Sequence, residues 1–193
     1  MAKPGPNPCW TGSRRANLPD APLPGPIPAP IIVTALMGAA DFAWADGLRR
    51  AHFPPERNVL SAHITLFHHL PPSVLPELAD RLKLLCRGPA PVARLIEVML
   101  LGQGVAYRID SPALMAMRDD LAEAFTGLLT PQDQARPRLH VTVQNKVPPA
   151  QAKALAQQLR IDFRPRPFSI AGLAAWHYRG GPWEPAMKAM FRG

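Results

Sequence analysis

Cysteine is scarce in this chain, with two in 193 residues. Cys9 sits in a Pro-rich stretch and Cys86 at the end of a predicted helix, and with no Cys-x-x-Cys spacing there is neither a disulfide framework nor a thiolate metal motif. A reducing cytosol suits that usage. No apolar run approaches the length that crosses a bilayer, and the N-terminus lacks a charged segment followed by an apolar stretch of signal-peptide length. A soluble cytoplasmic protein with no membrane partner is therefore expected. Acidic side chains are also few, 14 Asp and Glu against 22 Lys and Arg, for a formal net charge of +8. Such an excess favours anionic partners, and nucleic acid or a nucleotide suits it better than a membrane because no dense Lys/Arg run adjoins an amphipathic helix.

What is present is a globular composition, 47% apolar, enough for one domain or two small intimate ones with a substantial core. Residues 1–26 combine Pro, Gly, Asn and Ser with few apolar side chains and are expected to form a flexible, disordered arm. Residues 27–193 are periodic. A continuous apolar run, Ile31 to Met37, reads as a buried strand, and Asp41 as the cap of a helix to about Arg50. A strand from Ser61 to Phe67 follows, then a helix with Leu75, Leu78, Leu82 and Leu85 at helical spacing, then a strand from about Val92 to Leu101. Gly102-Gln103-Gly104 turns the chain into a strand, Val105 to Asp110. Ser111-Pro112 has the form of an N-cap opening a long helix, and Leu139 to Gln144 forms the next strand. Pro148-Pro149 begins another helix, Phe168 to about Trp176 is a strand, and a short amphipathic C-terminal helix is expected to carry Met187, Met190 and Phe191. The order strand, helix, strand, helix, strand thus occurs twice, over about residues 27–101 and 104–177, the mark of a duplicated unit whose halves would face one another across a cleft.

One short pattern appears once in each half: His63-Ile64-Thr65-Leu66 and His140-Val141-Thr142-Val143. With six His and six Thr in the chain, chance predicts only roughly 0.2 such spacings. On a strand, alternation puts His63 and Thr65 on one face and His140 and Thr142 on one face, with the apolar residues anchoring the other side. Two imidazoles across a cleft can divide general acid and general base work near neutral pH, and two hydroxyls can donate to an anionic oxygen between them. That is the equipment of phosphoryl transfer.

The paired motifs, one per half, resemble those of the two-histidine (2H) phosphoesterase superfamily, which includes 2′-5′ RNA ligases and RNA cyclic phosphodiesterases. The resemblance runs from about Ile27 to Trp176. It implies an α+β, bilobal, duplicated β-α-β-α-β fold, with two mainly antiparallel sheets flanking a central cleft and the helices outside. It also implies metal-independent opening of 2′,3′-cyclic phosphates of RNA or nucleotides, possibly with reverse 2′-5′ RNA ligation. Catalysis then falls to His63 and His140, and phosphate contact to Thr65 and Thr142. Many relatives carry an apolar residue, Ala and Arg after the second motif, where this chain has Val143-Gln144-Asn145-Lys146, so substrate choice stays open. The expected partner is RNA with a cyclic phosphate or a 2′-5′ linkage, or a small cyclic nucleotide, and a monomer is expected. A non-catalytic nucleotide- or RNA-binding module on the same fold is the alternative.

Strand parity nominates further contacts. Lys146 and Arg138 share the face of His140 and are candidate phosphate ligands, while Phe67 shares the face of His63 and is a candidate base-stacking residue. By the same parity His68 points away. His52 and His177 have no partner at metal-ligand spacing, so neither metal nor cofactor is expected.

Overall fold

The apolar run Ile31–Met37 becomes strand β1, with every residue but Leu36 buried. The structure, a computed structural model, describes residues 29–192. The arm expected before residue 27, Cys9 included, lies outside the described residues.

Gly38 ends β1 because the chain passes Ser169 so closely that a Cβ would stand 2.5 Å from its Oγ. Helix α1 (Ala39–His52) follows. Asp41, expected as its cap, lies in the first turn instead, where its carboxylate accepts from the Ser169 N–H (2.8 Å) and from Arg166 Nη1 (2.6 Å). Strand β2 (Ile64–Leu70) leads to helix α2 (Leu75–Leu85), which buries Leu78 and Leu82 of the apolar stripe completely. Strands β3 (Ala93–Leu100) and β4 (Val105–Asp110) are joined by the Gly turn, with Gly102 at φ 80° and the Leu101 N–H donating to Gly104 O. Ser111 caps α3 (Pro112–Ala124), accepting from the Leu114 N–H and donating to Val92 O. This satisfies an end group that would otherwise be orphaned. One-turn helix α4 (Pro131–Gln134), strand β5 (His140–Gln144), helix α5 (Pro149–Asp162) and strands β6 (Arg166–Phe168), β7 (Ile170–His177) and β8 (Glu184–Met190) complete the order.

Two four-stranded antiparallel sheets result, β2-β1-β7-β8 and β5-β4-β3-β6. They do not follow the two sequence repeats. The strand ending the first repeat, β3, pairs with β4, and the strand ending the second, β7, pairs with β1. The halves therefore exchange a strand, and the exchange ties them into one core cluster containing Phe67, Leu70 and Leu82 as well as Leu95, Leu121 and Val141. A second correction concerns the C-terminus. The expected helix is strand β8, because the outer edge of β7 is open and takes up Glu184–Met190 along Gly172–His177. Pairing with that edge overrides the helical preference of Ala, Met and Lys.

Both motif strands, β2 and β5, are sheet edges, and they contact one another. Helix α1, which follows a strand of the first sheet, also packs on β5 of the second. The cleft is thus built where two edges meet, with a helix bracing the join.

Candidate active site

His63 immediately precedes β2 and His140 is the first residue of β5. Each Nδ1 lies against the main-chain carbonyl two residues upstream, Ser61 O at 2.8 Å and Arg138 O at 2.7 Å. A carbonyl oxygen only accepts, so the ring hydrogen sits on Nδ1 in both cases, and Nε2 of each ring is left available for chemistry. Both rings line one cavity of about 420 Å³ together with Thr65 and Thr142. The two His-x-Thr pairs, 77 residues apart in sequence, are brought to one place.

Burial pushes the His63 imidazole down to about 4, against the Ser61 hydrogen bond, with the Arg49, His140 and His68 charges adding to the fall. It is a neutral ring at neutral pH. Trp183, in the turn before β8, supplies part of that cover, its ring 4.6 Å from the His63 ring and tilted by 56°. A second cavity, about 370 Å³, also bordered by His63, is lined by Leu36, Met37, Phe42, Trp176, Trp183 and Lys188 among others. Trp176 is half-buried there, its Nε1 donating to Thr34 Oγ1 at 2.8 Å.

Beyond Thr65 the expected alternation fails. Ala35 pairs with Ile64 and Thr34 with Thr65, but Val33 pairs with Phe67, so β2 holds one residue more than β1 over this stretch. That bulge reverses which side Phe67 faces, and a second extra residue follows before Leu70 pairs with Ile31. Phe67 is consequently wholly buried in the core, with the Arg118 guanidinium 4.8 Å over its ring, and is not placed to stack on a base. His68, expected to point away, lines the cavity of the two histidines. Its Nδ1 is 3.1 Å from Asp133 Oδ1, which also accepts the His68 N–H, while Oδ2 accepts the His69 N–H. Asp133 is buried. Burial raises its carboxyl, but the hydrogen bonds from His68 and His69 outweigh that and hold it below the usual carboxylate range.

Arg138 lies before β5, outside the strand; it lines this cavity and also a neighbouring depression with Asp110 and Arg136. Lys146 does not. Strand β5 ends at Gln144, and Lys146 takes a left-handed turn at φ 61°, in a depression shared with His52, Glu56 and Arg57. Its carbonyl accepts from Arg57 Nη1 at 3.3 Å.

Two residues that the motifs did not single out hold the cleft together. Arg49 on α1 is buried and donates through Nε to Asn58 Oδ1 (2.8 Å) and Leu60 O (2.9 Å), and through Nη1 to Thr142 O (3.1 Å). Its burial lowers its pKa, partly countered by Asp46. Asp46 in turn accepts the Ala62 N–H at 2.9 Å and pairs with Arg50. One helix turn therefore fixes both the loop entering His63 and the strand carrying Thr142. The only sequence sign of this is two charges three apart on the inner face of α1.

Among the described residues no group of three or more His, Cys, Asp or Glu side chains is arranged to hold a metal ion, and no helix is long and apolar enough to cross a membrane.

A model of the 2′-5′ RNA ligase superfamily matches residues 38–182. No curated protein matches the sequence. Among solved structures, TT0787 of Thermus thermophilus superposes with a TM-score of 0.56 at 16% identity, covering 85% of this chain and 98% of that one. Escherichia coli LigT complexed with NADP+ has a TM-score of 0.56 at 17% identity, covering 85% and 98%. The same LigT complexed with 3′-AMP has a TM-score of 0.54 at 17% identity, covering 86% and 99%. These likenesses establish the fold.

Proposed function

Because the chain belongs to the 2′-5′ RNA ligase superfamily of two-histidine phosphoesterases, we propose that it opens 2′,3′-cyclic phosphates of RNA or a nucleotide by metal-independent acid–base catalysis. The observation that carries the reading is the matched pair of imidazoles, each held through Nδ1 by the carbonyl two residues upstream and both lining one cavity with Thr65 and Thr142. In hydrolysis, water attacks phosphorus. The neutral His63 ring takes the water's proton on Nε2, and His140, as the general acid, gives one to the ribose oxygen as its bond to phosphorus breaks. Thr65 and Thr142 donate to the non-bridging oxygens, where negative charge grows. In 2′-5′ ligation a 5′-hydroxyl takes the place of water.

The apolar cavity beside His63 suits the planar base, with Trp183 as the stacking surface, a role that Phe67 in the core does not fill. LigT in complex with 3′-AMP, NADP+ and ATP is a relative of this fold that holds nucleotides, which agrees with a nucleotide ligand here.

The test is hydrolysis of 2′,3′-cyclic nucleotides and cyclic-phosphate-ended RNA with and without chelator, by the unaltered protein and by His63→Ala and His140→Ala. Metal-independent turnover lost in both variants is the expected result. Full activity in either variant refutes the mechanism, and binding without turnover leaves the non-catalytic binding module.

A further inference from the structure

The cavity holds more anion-binding equipment than one phosphate uses. Its lining includes three imidazoles, His63, His68 and His140, and one guanidinium, Arg138, and among the described residues no carboxylate lines it. The reacting phosphate of the proposed mechanism engages His63, His140, Thr65 and Thr142. His68, Gln132 and Arg138 are left over.

His68 is not there by accident of exposure. The β2 bulge turns it into the cleft, and a buried carboxylate grips its Nδ1 while also capping the N–H groups of His68 and His69. Asp133 is itself anchored, its main-chain carbonyl accepting from the buried Arg118 and its Oδ2 lying 3.3 Å from Thr130 Oγ1. The hydrogen bond at Nδ1 fixes the ring and leaves Nε2 as the atom that can meet a ligand, on a side chain that is 45% exposed. Arg138, an exposed residue, joins it from the segment before β5, where its main-chain carbonyl accepts from the His140 ring. A guanidinium, an imidazole and an amide line the same cavity, and the one carboxylate that touches them, buried Asp133, is engaged by the His68 Nδ1 and two main-chain N–H groups; such donors match phosphate oxygens.

We propose that His68, Arg138 and Gln132 form a second phosphate subsite beside the reacting position, so that the preferred substrate carries two phosphates on one nucleoside, as an RNA end does. This rests on the proposed function for the place of the first phosphate. In an RNA chain ending in a cyclic phosphate, the neighbouring phosphate is on the 5′ oxygen of the same nucleoside, whereas a cyclic mononucleotide has none. Asp133 acts through His68 and is a positioning residue.

Calorimetry with adenosine 3′,5′-bisphosphate and adenosine 3′-monophosphate tests the subsite without any turnover, so it stands apart from the hydrolysis reading. The bisphosphate is expected to bind about tenfold more tightly, and His68→Gln or Arg138→Gln should abolish that advantage. Equal affinities for the two probes, or variants that keep the advantage, overturn the subsite. In hydrolysis of 5′-phosphorylated adenosine 2′,3′-cyclic phosphate, the His68→Gln loss should fall on KM. A fall in kcat as large as that of His140→Ala would place His68 at the reacting phosphorus and also overturn it.

Discussion

Removing Trp183 should change the chemistry of His63 without touching its hydrogen bond. Moving a histidine from its ordinary 6.5 to about 4 costs the charged form roughly 3 kcal/mol, at about 1.36 kcal/mol for each tenfold change. Desolvation is the largest cause, and the Trp183 ring 4.6 Å away is one of the groups excluding water. Replacing it by alanine opens that side of the ring to solvent, while Ser61 O still holds Nδ1. The His63 midpoint should then rise by about one pH unit. Histidine ring signals followed by NMR as pH is lowered give that midpoint directly, with His63→Ala assigning the resonance. In the rate profile the acid limb, where the base becomes protonated, should move the same way. If His63 of the unaltered protein titrates near 6.5, or if Trp183→Ala leaves its midpoint in place, the account of a desolvated neutral base is wrong.

Substitution of His140 by alanine should lower turnover of a cyclic phosphate by about 10²–10⁴-fold, Thr65→Val or Thr142→Val by less, and the His63/His140 double variant by little more than the worse single one, because the two rings work as one unit. Steady-state kinetics on these variants and on His63→Ala decides this. For stability, a histidine depressed in the fold takes up its proton more readily when unfolded. Urea unfolding should therefore show stability falling as pH drops from about 6.5 to about 4, by about 1–2 kcal/mol for a ring bordering a water-filled cavity, and His63→Ala should flatten that interval. Arg49→Met should cost about 2–4 kcal/mol in the same assay, since it leaves the Leu60 and Thr142 carbonyls and Asn58 without their donor. An unchanged midpoint would mean that Arg49 does not brace the cleft.

Local signals were enough for most elements. Alternation and apolar runs placed β1 to β5, and Ser111-Pro112 and the Gly102 turn marked real boundaries, because caps and left-handed turns depend on the residues at hand. The repeated His-x-Thr pattern likewise located the cavity's paired imidazoles and hydroxyls, since strand parity is local and both motifs sit at strand starts. Partner choice is another matter. Which sheet β3 and β7 join, and whether the C-terminal segment pairs or coils, depends on what edge is free once the rest has folded. A bulge is equally invisible from one strand alone, since it is a mismatch in length between two paired strands. The first of two extra residues in β2 sent Phe67 into the core and His68 to Asp133, 65 residues away in sequence. The paired His-x-Thr motifs and the elements that carry them were therefore legible in the chain, because periodicity and short-range hydrogen bonding specify them. The sheet pairing, the tryptophan cover over His63 and the third histidine of the cleft were not, because each is set by contacts between segments far apart in the chain.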